Sequence, residues 1–187
     1  MEVINIKEAK DSFILDIAIK NSINAAINTR TTFFNSGISR ELKDLFRRVL
    51  ASKLVKFSKK YYKEQREYIF HSDVQKLQNE INDHFRESNL FFYDNGFTLG
   101  NSQKVLSVYL KYLWCFGFIP MPPACPLDRV MLTISKAPYN KRSWGKINSI
   151  DEYLEKYSYL VIAAKKKKLP LPVFELLSFA EDNNLEI

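Results

Sequence analysis

The sequence predicts an all-α fold, and three observations carry that expectation. Apolar residues recur at the three-to-four spacing of a helix along most of the chain, and no segment alternates at period two. Residues that cap helices stand in front of several of these runs. Glycine is scarce: 5 Gly and 7 Pro in 187 residues are too few for the many tight turns of an all-β sandwich.

Taken in order, the first run covers residues 11–28. Phe13, Ile14, Ile17, Ala18 and Ile23 supply its buried stripe. Gly37 interrupts, and Ser39 then caps a helix over 40–62 whose apolar side is Leu42, Leu45, Phe46, Val49, Leu50, Leu54 and Phe57. Between Arg40 and Glu67 stand ten Lys/Arg against four Asp/Glu, a basic face that suits either solvent or a polyanion. Ser72 with Gln75 reads as a capping box opening a third helix to about residue 87. Asp94-Asn95-Gly96 marks a turn. Asn101-Ser102 then caps the strongly apolar helix QKVLSVYLKYLWCFG. IPMPPACP is a rigid link, and Pro126 suits the first turn of a helix over 126–135. Residues 136–148 form a polar loop holding Trp144. Ser149 with Glu152 opens a helix to about residue 168, whose terminal lysine run complements the helix dipole. Pro170 and Pro172 precede a last helix over 173–183.

Length and composition predict one domain over residues 1–187, with 46% hydrophobic residues. The net charge of +7 points to a polyanionic partner. The polar opening MEVINIKEAKDSF predicts no secretory leader. The apolar stretch near 108–126 is broken by Lys111, Gly117 and prolines, so no membrane span is expected. Cys115 and Cys125 cannot make a disulfide framework or a four-ligand zinc site, and His71 and His84 have no Cys/His cluster around them. P-loop, GxGxxG, HExxH and GxSxG patterns are missing. No cofactor or metal is expected. The expected location is the cytoplasm, in association with the nucleoid.

One stretch concentrates chemistry, from 97 to 135. A glycine turn leads into a helix that opens with Lys104, a rigid loop follows, and Asp128 sits in the first turn of the next helix. The lysine helix leads away and the loop can lead back, bringing carboxylate to amine. Gly100 through Lys104, the run KVLSVYLK with its second lysine seven on, and CPLDRVMLT together resemble the helix-hairpin-helix DNA glycosylase superfamily. Its archaeal-type 8-oxoguanine glycosylases are similar in these segments, and KKKLPLPVFELLSF looks like that family's last helix. The likeness covers about 97–180. The family's hairpin holds two glycines before the lysine, and here only Gly100 stands.

The resemblance implies a helical glycosylase fold and a DNA glycosylase, with AP-lyase activity, that flips a modified base out of the duplex. An oxidised purine or another modified base is the implied substrate. Lys104 is then the nucleophile at C1′, and Asp128 deprotonates it or stabilises the cationic sugar. Such an amine works only in its neutral form, which desolvation or a neighbouring cation favours. The backbone of Gly100, Asn101, Ser102 and Gln103 is the expected phosphate site at the hairpin. Lys141 and Arg142 in the polar loop would add backbone contacts to DNA. Trp144, in the same loop, is the candidate for stacking on the base. A monomer acting on DNA is expected. The alternative is a noncatalytic helical nucleic-acid-binding module.

Overall fold

The computed structural model describes residues 5–27, 33–35, 37–86 and 96–182, and every regular element in them is helical. Helices α1 (Ile6–Ile27), α2 (Arg40–Ser58) and α3 (Glu67–His84) surround α4 (Leu99–Cys115). A 3₁₀ turn, Lys59–Tyr62, prolongs α2. The short α5 (Arg129–Ile134) packs on α6 (Ile150–Lys167) and α7 (Leu171–Asp182). Helix α4 also meets α6, so it stands where the two groups join, and one continuous apolar core runs through both. Among the described residues no helix is long and apolar enough to cross a membrane.

Local chemistry explains most helix ends. Ser39 accepts from the Leu42 N–H at 3.3 Å and starts α2, and Ser149 accepts from the Glu152 N–H at 3.2 Å and starts α6. Helix α6 stops at Lys168, in the left-handed region at φ 56°, and the Leu169 N–H turns back to the Ala164 carbonyl at 3.1 Å. Pro172 falls in the first turn of α7, where its missing N–H has no helical partner to lose, and the Phe174 N–H closes on the Pro170 carbonyl at 2.9 Å.

Several boundaries differ from the sequence reading. Helix α1 begins at Ile6 rather than at residue 11, because the Asn5 side chain accepts from the Lys7 N–H at 3.1 Å. Phe13 is 66% exposed and does not join the stripe, and Leu42 and Leu45 of α2 are also exposed. Ser72 and Gln75 lie inside α3, which starts five residues earlier behind an extended Arg66. Helix α4 begins at Leu99, so Asn101 and Ser102 fall within it. Pro126 precedes α5 rather than sitting in its first turn. In the expected turn at 94–96 only Gly96 belongs to the described residues, with φ 73°.

Carboxylates tie the helices of the first group together. Asp73 of α3, 1% exposed, accepts from Lys60 at 2.7 Å and from the Tyr61 hydroxyl at 2.8 Å. Burial, together with the Asp73 charge, pushes the Tyr61 phenol far above its ordinary range. Glu80 accepts from Lys53 at 2.5 Å and Lys56 at 3.4 Å, joining α3 to α2.

Candidate active site

Helix α4 brings the chemistry-bearing residues together. Its cap is Thr98, whose hydroxyl oxygen accepts from the Asn101 N–H at 3.1 Å, while the Asn101 side chain accepts from the Thr98 N–H at 3.3 Å. The Thr98 hydroxyl also lies 2.9 Å from the Gly145 carbonyl, and the Gly100 N–H donates to the Ile147 carbonyl at 3.0 Å. The loop before α6 therefore lies across the first turn of α4. A Cβ on Gly100 would stand 2.0 Å from the Trp144 carbonyl oxygen, so only glycine lets the loop come so close.

One turn on, along the same face, the Lys104 ammonium donates to the Asp128 carboxylate at 2.5 Å. The other carboxylate oxygen of Asp128 accepts from the Met131 N–H at 2.9 Å, so Asp128 is the cap of α5 as well as the partner of Lys104. The two side chains keep 12% and 21% of their surface accessible: they are mostly desolvated yet open to a ligand. Directly behind them, the Gln103 side-chain amide donates to the Leu127 carbonyl at 2.6 Å and accepts from the Leu127 N–H at 3.0 Å.

A second pair stands two turns further along α4. Lys111 donates to Glu175 of α7 at 2.8 Å, and its ammonium lies 4.4 Å from the centre of the Phe179 ring. Burial raises the Glu175 carboxyl above the usual range, against the pull of Lys111 and Lys104 and with the Asp128 charge adding to it. Burial likewise keeps the Cys125 thiol protonated, with the charges of Glu175 and Asp128 reinforcing it. Two lysines and two carboxylates thus share one electrostatic neighbourhood around an inert thiol.

Residues expected at a phosphate site have other duties. The Asn101 N–H is taken by Thr98, its side chain donates to the Ala26 carbonyl at 2.9 Å, and the Ser102 N–H is donated to the Thr98 carbonyl at 3.0 Å. The Ser102 hydroxyl donates to the Val74 carbonyl at 2.6 Å. Gly100, Asn101, Ser102 and Gln103 are all buried, and their polar groups fasten α4 to α1, α3 and the loops. Lys141 is ion-paired to Glu155 at 2.8 Å, and this hydrogen bond raises its ammonium above the ordinary value. Arg142 donates to the Ala137 carbonyl at 3.0 Å. Both brace the loop on which they sit. Trp144 is half-buried against the core, with its carbonyl over Gly100.

Lys104 and Asp128, the two residues the sequence singles out for chemistry, meet; Lys111, the second lysine of the same run, pairs with a carboxylate that the sequence did not point to, Glu175. The available signal was a lone carboxylate in the otherwise apolar run LPVFELLSF.

No family model, curated protein or solved structure matches this chain.

Proposed function

We propose that the chain is a DNA glycosylase of the helix-hairpin-helix type with AP-lyase activity, using Lys104 and Asp128. The observation that carries the reading is the 2.5 Å contact between amine and carboxylate, made by residues far apart in sequence in a desolvated yet accessible place. Lys104 hands a proton directly to Asp128 and becomes a neutral amine. Its lone pair attacks C1′ of a flipped nucleotide as the bond from C1′ to the base breaks. The base leaves with that electron pair and takes up the proton that Asp128 received. A proton passes from the adduct nitrogen to O4′ as the C1′–O4′ bond opens to an iminium, loss of a 2′ proton expels the 3′ phosphate, and water releases the enzyme. The flipped base rests near Lys111, Glu175 and Phe179, where an ion pair and a half-exposed ring offer polar partners and a stacking face. DNA is the proposed partner and a monomer the proposed state.

Borohydride reduction tests this on duplexes carrying oxidised purines and other modified bases. Wild type is expected to form a covalent adduct with one of them, and Lys104→Gln none. Asp128→Asn keeps a side chain able to cap α5 and is expected to lower the trapping rate about 10²-fold or more. Equal trapping by Lys104→Gln would sink the assignment of the nucleophile. Salt-sensitive DNA binding with neither trapping nor base release would favour the noncatalytic binding module.

A further inference from the structure

Gln103 is fully buried in an apolar surrounding, yet neither end of its amide is spare. Both ends bond to the backbone of a single residue, Leu127, itself fully buried. Gln103 immediately precedes Lys104, and Leu127 immediately precedes Asp128. The intervening 119–126 has no regular hydrogen-bonded structure, and Pro120, Pro122, Pro123 and Pro126 in it have no N–H to donate. Residues 119–126 therefore have no ladder of their own to set how far along α4 the aspartate lands. The two bonds from Gln103 tie the Leu127 peptide to α4 at the residue before Lys104. The Ser107 hydroxyl donates to the Gln103 carbonyl at 2.6 Å, adding a bond within α4 beside the clamp.

We infer that Gln103 is a positioning residue that holds Asp128 at bonding distance from Lys104 by clamping the Leu127 peptide. It touches neither amine nor substrate and acts through Asp128. The catalytic consequence rests on the glycosylase reading; the geometric one does not.

Reductive methylation of Lys104 with formaldehyde and cyanoborohydride, followed by mass spectrometry, tests the geometric part without DNA. Freeing the amine from the carboxylate exposes it to reagent. Asp128→Asn is therefore expected to speed Lys104 methylation several-fold over wild type, and Gln103→Met, which fills the space without hydrogen bonds, to do the same. The double variant should react no faster than Asp128→Asn alone, because both changes remove one interaction. Unchanged Lys104 methylation in a folded Gln103→Met, or fully additive effects, would overturn the inference.

Amide hydrogen exchange in wild type needs no variant and covers the case of a misfolded one. The Leu127 N–H is expected to be protected through its bond to Gln103, and free exchange there would equally overturn the inference. If wild type traps a duplex, Gln103→Met should lose about 10²-fold in trapping rate at saturating DNA with affinity unchanged. If affinity falls and the rate at saturation holds, the clamp does not position the pair. If no duplex is ever trapped, the enzymatic reading fails while methylation and exchange still decide what Gln103 does.

Discussion

At the scale of single residues, Gly100 carries the sharpest steric demand. Its substitution by alanine would drive a methyl group into the backbone of Trp144, and backbone cannot swing aside as a side chain can. Relieving the clash requires the loop to lift, breaking the bonds from Gly100 to Ile147 and from Thr98 to Gly145. Gly100→Ala is therefore expected to cost about 3 kcal/mol, read as a lower denaturant midpoint. A midpoint like that of wild type would mean that the loop does not rest on α4. The sequence made Lys104 and Asp128 legible because a lysine early in one helix and an aspartate opening the next are joined by a rigid link that can lead back, in segments that resemble a known lysine–aspartate pair. Gln103 was not legible as a clamp, since a glutamine inside a helix gives no sign of what its amide reaches. Its partner is a backbone peptide, which no side-chain pattern can reveal.

At the scale of elements, the caps at Ser39 and Ser149 were readable because each stands alone before a clear run. The start of α4 was not. Thr98, Asn101 and Ser102 can all cap, and the choice among them is made by Ala26, Val74 and Gly145, which lie in distant parts of the chain. The start of α1 was hidden because its first turns are exposed and carry no apolar period. Between α2 and α3, Glu80 gives a pH-dependent contribution. Its burial works to raise the carboxyl, but the hydrogen bonds and charges of Lys53 and Lys56 outweigh this and lower it below 4.5. The pair thus stabilises the fold above about pH 4.5, and the contribution disappears as pH falls through the lower folded value. Glu80→Gln is expected to lose about 0.5 kcal/mol at pH 7, a small figure because the cluster is partly solvated. The difference from wild type should vanish in acid, as followed by urea unfolding across pH. A deficit that persists below the carboxylate range would point to packing instead.

At the scale of the whole molecule, the helical class was readable from period and composition alone, whereas the way α4 sits among its neighbours depends on contacts that span the chain. The net charge of +7 gives the proposed partner a measurable signature. DNA affinity measured by fluorescence anisotropy should fall linearly in log K against log salt, with a slope of about −0.9 for each phosphate neutralised. Affinity insensitive to salt between about 50 and 200 mM would remove the electrostatic basis for a nucleic-acid partner.

The first turn of α4 also dictates an order of events during synthesis. Its polar groups are completed by Ala26 and Val74, already made, and by Leu127, Gly145 and Ile147, still to come. A nascent chain that has emerged only as far as residue 126 holds Lys104 without its carboxylate and Gln103 without its peptide. The lysine and the aspartate meet only after α4 has left the ribosome, and the first turn of α4 is not closed until Ile147 follows.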